Sequence, residues 1–185
     1  MQRLDPKTTA LVIVDIQDRL AAAMPEDQLT QVVRSARILA EAARLLGAPL
    51  LQTEQYPKGL GPTLAPVSEA LQGSEVTRFE KLCFSAWDAE GFAETLERSK
   101  ARAAVVIGME SHVCVYQTVR DLAARGFEVH VPVDGVSSRR ADHHDVGVAL
   151  CERAGAVPTT SETVVFDWLG RAGGDAFKQL SKLIR

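Results

Sequence analysis

The sequence predicts an α/β protein built on a doubly wound, mostly parallel sheet of about six strands with helices on both faces. Three observations predict it. Short, continuous apolar runs rich in β-branched residues, above all 9–14 (TALVIV) and 103–107 (AAVVI), read as strands covered on both sides. Segments with apolar residues at helical spacing lie between such runs. Glycines stand where those segments should stop, at Gly47, Gly126 and Gly155. Strand and helix alternating in this way describe repeated βαβ units, whose right-handed crossovers wind a helix layer onto each face.

Taken in order, 9–14 is a buried strand closed by Asp15. Residues 28–46 place Leu29, Val32, Val33, Ala36, Leu39, Ala40, Ala43 and Leu46 on one helical stripe. A short strand at 49–53 leads into 54–66 (EQYPKGLGPTLAP), whose three prolines and two glycines predict an irregular stretch. A weaker strand at 75–81 ends on Lys81. Residues 89–98 form an amphipathic helix carrying Phe92, Ala93 and Leu96, and 103–107 is the clearest strand. A helix at 111–125, a strand at 127–133, a helix at 141–154 and a short strand at 156–160 follow. Helical pieces at 163–169 and 175–184 close the chain. With no internal repeat, low-complexity tract or linker, residues 1–185 read as one domain.

Composition excludes several classes of function. A chain that is 46% hydrophobic buries a substantial core and is not disordered. The net charge of −3 and the brevity of clusters such as Ser138-Arg139-Arg140 argue against nucleic acid. The apolar run 10–14, cut off by Asp15, is too short for a signal peptide or a membrane span. The three cysteines, Cys83, Cys114 and Cys151, make no C-x-x-C motif. Free thiols in a reducing cytoplasm, with no structural zinc and no cofactor, are the expectation.

In open α/β sheets ligands bind beyond the carboxyl ends of the strands, and three reactive groups fall there: Asp15, Lys81 and Cys114. Each also has a plainer reading. Asp15 could cap a loop or act as a general base. Lys81, in apolar company (Phe79, Leu82, Phe84, Trp87), needs an anionic partner if buried. Cys114 is either a small core residue or a nucleophile whose ionisation a helix N-terminus favours. Gln17 could orient a ligand or brace the loop. His112, two residues before Cys114, does not face it along a helix and is expected to line the pocket or cap the helix. His143 and His144 read as surface residues, His130 and Cys151 as structural, and Cys83 is open. A scaffold or thiol sensor would use the same residues without catalysis. A third reading, Asp15 as a phospho-acceptor or phosphatase aspartate, is disfavoured because DIQD lacks the acidic residue two positions on that phosphatases of that kind use for magnesium.

The segments LVIVDIQDRL, FEKLCFSAW and VVIGMESHVCVYQTVRDLAARGFEVHVPVDGVSS together resemble the isochorismatase-like cysteine hydrolases, which include nicotinamidases and carbamoylsarcosine amidases. TEQYPKGLG with GMESHVCV is similar to the smaller isochorismatase-domain proteins. The resemblance covers nearly the whole chain and implies a triad of Asp15, Lys81 and Cys114. It further implies a cis peptide between Met109 and Glu110, with the Glu110 and Cys114 N–H groups as an oxyanion hole. Tyr56, Trp87, Met109, His112 and Gln17 are substrate-pocket candidates, with Tyr116 and Phe166 as further aromatics. Where nicotinamidases carry an Asp-x-His pair and a further histidine for a metal, this chain has Glu54-Gln55-Tyr56 and no histidine nearby. Two ligands are thus missing, which argues against a catalytic metal and against nicotinamide. Isochorismate hydrolysis proceeds in the family without a nucleophilic cysteine, so Cys114 points to amide-type chemistry. The family's habit of oligomerising implies at least a dimer acting on a small molecule.

Overall fold

Hydrophobic patterning resolves into seven parallel strands: β1 (Thr9–Val14), β2 (Leu50–Gln55), β3 (Val76–Lys81), β4 (Ala103–Met109), β5 (Glu128–Pro132), β6 (Val136–Ser137) and β7 (Val157–Thr159). They are seen in a computed structural model that describes residues 2–185. The order across the sheet is β3-β2-β1-β4-β5-β7, and β6 pairs with the end of β4. Order reverses between β1 and β4, so a crevice opens at their carboxyl ends, the topological switch point where such sheets take ligands. Asp15 leaves β1 at this point and the cysteine turn leaves β4.

The helices are α1 (Asp18–Ala21), α2 (Glu26–Leu46), α3 (Pro57–Leu60), α4 (Ala65–Ala70), α5 (Phe92–Arg98), α6 (Tyr116–Ala123), α7 (Ala141–Arg153), α8 (Ser161–Leu169) and α9 (Gly174–Ile184). The period-2 alternation of β1 divides them. Leu11 and Ile13 point into one core with Val32 and Leu39 of α2, Val164 of α8 and Leu180 of α9. Ala10, Val12 and Val14 point into the other, with Phe92 and Leu96 of α5, Val119 and Leu122 of α6 and Cys151 of α7. Both faces are therefore covered, and every residue of β1 and β4 is buried. Among the described residues no helix is long and apolar enough to cross a membrane.

Three features depart from the sequence expectation. A seventh strand, β6, is only two residues long and too short to show a period. The 54–66 stretch contains α3 and the start of α4, because Pro57 and Pro66 occupy the first helical turns, where a missing N–H costs nothing. The helix expected from residue 111 begins as a single π turn, Ser111–Val115, before α6.

Gly108, opposite Val14 in the β1–β4 ladder, sits at φ +128°. A Cβ there would lie 1.9 Å from the Val14 carbonyl oxygen. Only glycine lets the two strands meet this closely just before they diverge into the crevice. The next peptide but one, Met109–Glu110, is cis, as the resemblance implies. Gly108→Ala should lower the unfolding free energy by about 3 kcal/mol or more in a urea titration, from collision and backbone strain together. Gly126→Ala, also at positive φ but with nothing within 4 Å, should cost only about 1 kcal/mol.

Candidate active site

The end of β1 is turned sharply by Asp15, which adopts a left-handed backbone (φ 51°) that aspartate tolerates better than most residues. The turn is closed by Gln17 N donating to the Asp15 carbonyl at 2.9 Å. The Asp15 side chain is completely buried. Its Oδ1 accepts from Thr53 Oγ1 at 2.7 Å, and its Oδ2 accepts from Lys81 Nζ at 2.7 Å. Each oxygen keeps a lone pair free, so the carboxylate can still accept a proton.

Lys81 is the last residue of β3, and its ammonium is equally buried. Besides Asp15 it donates to Gln55 Oε1 at 2.7 Å, Phe84 O at 3.1 Å and Cys83 O at 3.3 Å. Such saturation is what a desolvated ammonium requires. Register supplies these partners: Val14 pairs with Thr53 and Gln55 pairs with Lys81, so β2, lying between β1 and β3, serves both charges. Sequence reasoning missed Thr53 and Gln55. The available signal was a hydroxyl and an amide at alternate positions closing an apolar strand.

Cys114 lies on the π turn, buried at 6% exposure. Burial foremost, and the Asp15 charge next, push its thiol up to about 12, while the Lys81 ammonium pulls the other way. Asp15 and Lys81 thus both act on the sulfur, with opposite sign. The sulfur is thus a thiol at rest. The helix-end stabilisation expected from the sequence is outweighed by desolvation and a neighbouring carboxylate. Acid, ammonium and thiol meet at one place, and their charges cancel.

The remaining candidates divide. Glu110 begins the cysteine turn, its carboxylate accepting from Arg139 Nε at 2.9 Å. Tyr56 is half exposed at the rim, with its N–H on the Lys81 carbonyl at 2.9 Å. His112 is half-buried, 2.9 Å from Ser138 Oγ through Nδ1, and burial lowers its proton affinity. Tyr116 lies under the Arg120 guanidinium, and Phe166 pairs with Phe177 between α8 and α9. Two candidates, Gln17 and Met109, belong to the framework. Gln17 spends its amide on Gln55 O (3.0 Å), Gly61 O (2.7 Å) and Gln55 N (2.7 Å), bracing the 54–66 loop against β1. Met109 is fully buried in the α2 core. Trp87 packs on Phe127 and under Arg125 (4.3 Å), while the N–H of its neighbour Ala86 donates to Thr118 Oγ1, one turn beyond Cys114.

Of the other thiols, Cys83 borders the Lys81 loop and Cys151 is buried in α7, both raised by burial, Cys151 to about 12. His144 is also half-buried rather than free on the surface. Among the described residues no group of three His, Cys, Asp or Glu side chains could hold a metal ion.

Comparison with known proteins shows the family and the fold. The isochorismatase domain family model matches residues 9–163. Isochorismatase domain-containing protein 2 of Bos taurus is 34% identical over 183 residues, 99% of this chain and 86% of that protein. Isochorismatase domain-containing protein 1 of Salmo salar is 35% identical over 182 residues, 98% of this chain but only 62% of that relative's length. A solved structure described as MAR1 ribonuclease from Caenorhabditis elegans aligns with a TM-score of 0.91 at 37% identity, covering 99% of this chain and 92% of that one.

Removing one member of the buried pair should be costly. Lys81→Met should destabilise the fold by roughly 3–5 kcal/mol in chemical denaturation, because Asp15 is left charged without its cation. In the native protein, alkylation of Cys114 by iodoacetamide, followed by mass spectrometry, should rise about tenfold per pH unit through the neutral range, since the thiolate is a growing minority there. Asp15→Asn removes a charge that holds the proton on sulfur. Alkylation of Cys114 at neutral pH should therefore be faster in this variant than in the native protein.

Proposed function

Because this chain belongs to the isochorismatase domain family and has its hydrolase fold, we propose that it hydrolyses a small amide, carbamoyl or related carbonyl compound through a thioester on Cys114. The observation that carries this reading is the buried Asp15–Lys81 pair, 2.7 Å apart, acting on the Cys114 thiol from both signs of charge. With the thiol raised to about 12, only about one molecule in 10⁵ holds a thiolate at pH 7. A nucleophile so rarely ionised needs a base that takes its proton as attack proceeds, and Asp15 has both the position and the free lone pairs for it.

In this scheme Asp15 receives the Sγ proton as sulfur bonds to the carbonyl carbon. Lys81 then stands beside the charge that sulfur sheds and holds Asp15 in place. The oxygen of the tetrahedral intermediate is received by the N–H groups of Glu110 and Cys114. Asp15 gives its proton to the departing nitrogen as the C–N bond breaks, leaving a thioester. It next takes a proton from water, whose oxygen attacks the thioester, and returns that proton to sulfur as the acid leaves. Net charge at the site stays constant throughout, so no step places an uncompensated charge in the apolar crevice. No metal or organic cofactor enters this scheme.

Substrate selection falls to the rim. Tyr56 (51% exposed), Leu82 (76%) and Phe84 (53%) form an apolar border beside the Lys81 loop. We take the substrate to be small and partly apolar, and neither nucleic acid nor a membrane to be a partner. The same exposed side chains suit a homo-oligomer of at least two copies, working in the cytoplasm, where thiols stay reduced. The 185 residues would act as one catalytic domain.

Wild type should release ammonia or amine from at least one member of a panel of amides, carbamoyl compounds and ureido acids, and Cys114→Ala should lose that activity entirely. Equal turnover by the two would refute the thioester. Asp15→Asn should lose at least about 10²-fold in kcat although its thiol alkylates faster, which separates a base from a mere charge. Single-stranded RNA belongs in the panel, given the description of the worm neighbour; RNA cleavage with no amide turned over would replace this reading. Light scattering at micromolar concentration should give a dimer mass or larger.

A further inference from the structure

The cysteine turn is gripped from two sides, by the segment between β6 and α7 and by α7 itself. On one side stands the segment between β6 and α7. The fully buried Ser138 places its Oγ 2.5 Å from Ser111 Oγ and 2.9 Å from His112 Nδ1. Arg139 donates to Glu110 Oε1 through its backbone N–H (3.1 Å) and its Nε (2.9 Å). Three consecutive residues of the turn, Glu110, Ser111 and His112, are thus each held by Ser138 or Arg139.

On the other side lies α7. A π turn is broader than an α turn, and here Val115 N reaches back five residues to Glu110 O at 3.2 Å. The widened backbone meets α7 at Gly147. A Cβ on Gly147 would lie 2.6 Å from both His112 N and the Ser111 carbonyl carbon, and 2.8 Å from Ser111 Oγ. Two of these are main-chain atoms, which cannot swing aside as a flexible side chain would. His143, one turn earlier on α7, sets its ring at 55° to that of His112 with the centroids 4.7 Å apart. Glycine is a poor residue for a helix interior, and Gly147 is the position where α7 lies flush on the turn.

We propose that α7 and the Ser138–Arg139 segment form a clamp that sets the position of the Cys114 turn, with Gly147 and Arg139 as its positioning residues. The proposal rests on Cys114 as nucleophile for its catalytic consequence, but not for its geometry. With alanine at residue 147, the turn and α7 must part from 2.6 Å toward the 3.4 Å at which ordinary contact begins. A displacement of roughly 1 Å is enough to cost about 10²-fold in rate while leaving substrate binding largely alone.

The experiment compares Gly147→Ala, Arg139→Ala and, as control, Val146→Ala, whose side chain is 54% exposed on the same helix. Each folded variant is read by kcat and KM on the best amide substrate and by the pH profile of Cys114 alkylation with iodoacetamide. Gly147→Ala should lose about 10²-fold in kcat with KM within about twofold, and Arg139→Ala about tenfold. Both should shift the alkylation profile, and Val146→Ala should match wild type in every reading. Folded Gly147→Ala with wild-type kcat and an unshifted profile overturns the proposal. Should that variant fail to fold, Arg139→Ala, altered at a largely exposed side chain, decides alone by the same two readings. If wild type turns over no amide, the hydrolase reading fails separately, and the alkylation profile still decides for or against the clamp.

Discussion

Two opposite charges, shut away from solvent and 2.7 Å apart, govern the architecture around the crevice. Neither Asp15 nor Lys81 is accommodated there without the other, since breaking a buried pair leaves an uncompensated charge at a cost of about 3–5 kcal/mol. They come from strands that are not neighbours. β2 runs between β1 and β3 and contributes Thr53 to the carboxylate and Gln55 to the ammonium. A slip of one residue in either ladder would turn those side chains to the other face. The pair therefore fixes the register of three strands as firmly as the apolar core does, and the core in turn keeps water from the pair.

The same neutrality explains the state of the sulfur. A lone Lys81 would draw a proton from Cys114, and a lone Asp15 would hold it there more tightly. With both present, burial decides, and the thiol stays protonated until something displaces the balance. In the proposed reaction that something is an electrophilic carbon. The switch point of the sheet supplies the location, Gly108 the close approach of β1 and β4, and the π turn the presentation of Cys114 beside both charges.

How much of this was legible in the sequence depended on the range of each interaction. Apolar runs and helical stripes are local, so β1, β4, α2 and the doubly wound plan could be read directly, as could three reactive groups at strand ends. Their convergence was not local, and only the family resemblance foretold it. Thr53 and Gln55 escaped because their roles depend on ladder register, which period-2 alternation does not reveal. Pro57 and Pro66 misled because a proline reads as a breaker unless its place in the first helical turn is known. Gln17 and Met109 sit in sequence beside functional positions but spend their side chains on the framework, Gln17 on the 54–66 loop and Met109 on the α2 core.

Keeping Cys114 protonated between encounters has a bearing on its chemical lifetime. Hydrogen peroxide attacks thiolates, and cysteines that are exposed and easily ionised are the first to become sulfenic acids. A sulfur at 6% exposure with its proton held by burial offers little of the reactive form to a passing oxidant. The crevice thereby keeps the Cys114 sulfur in an inert state, by burial instead of by a disulfide.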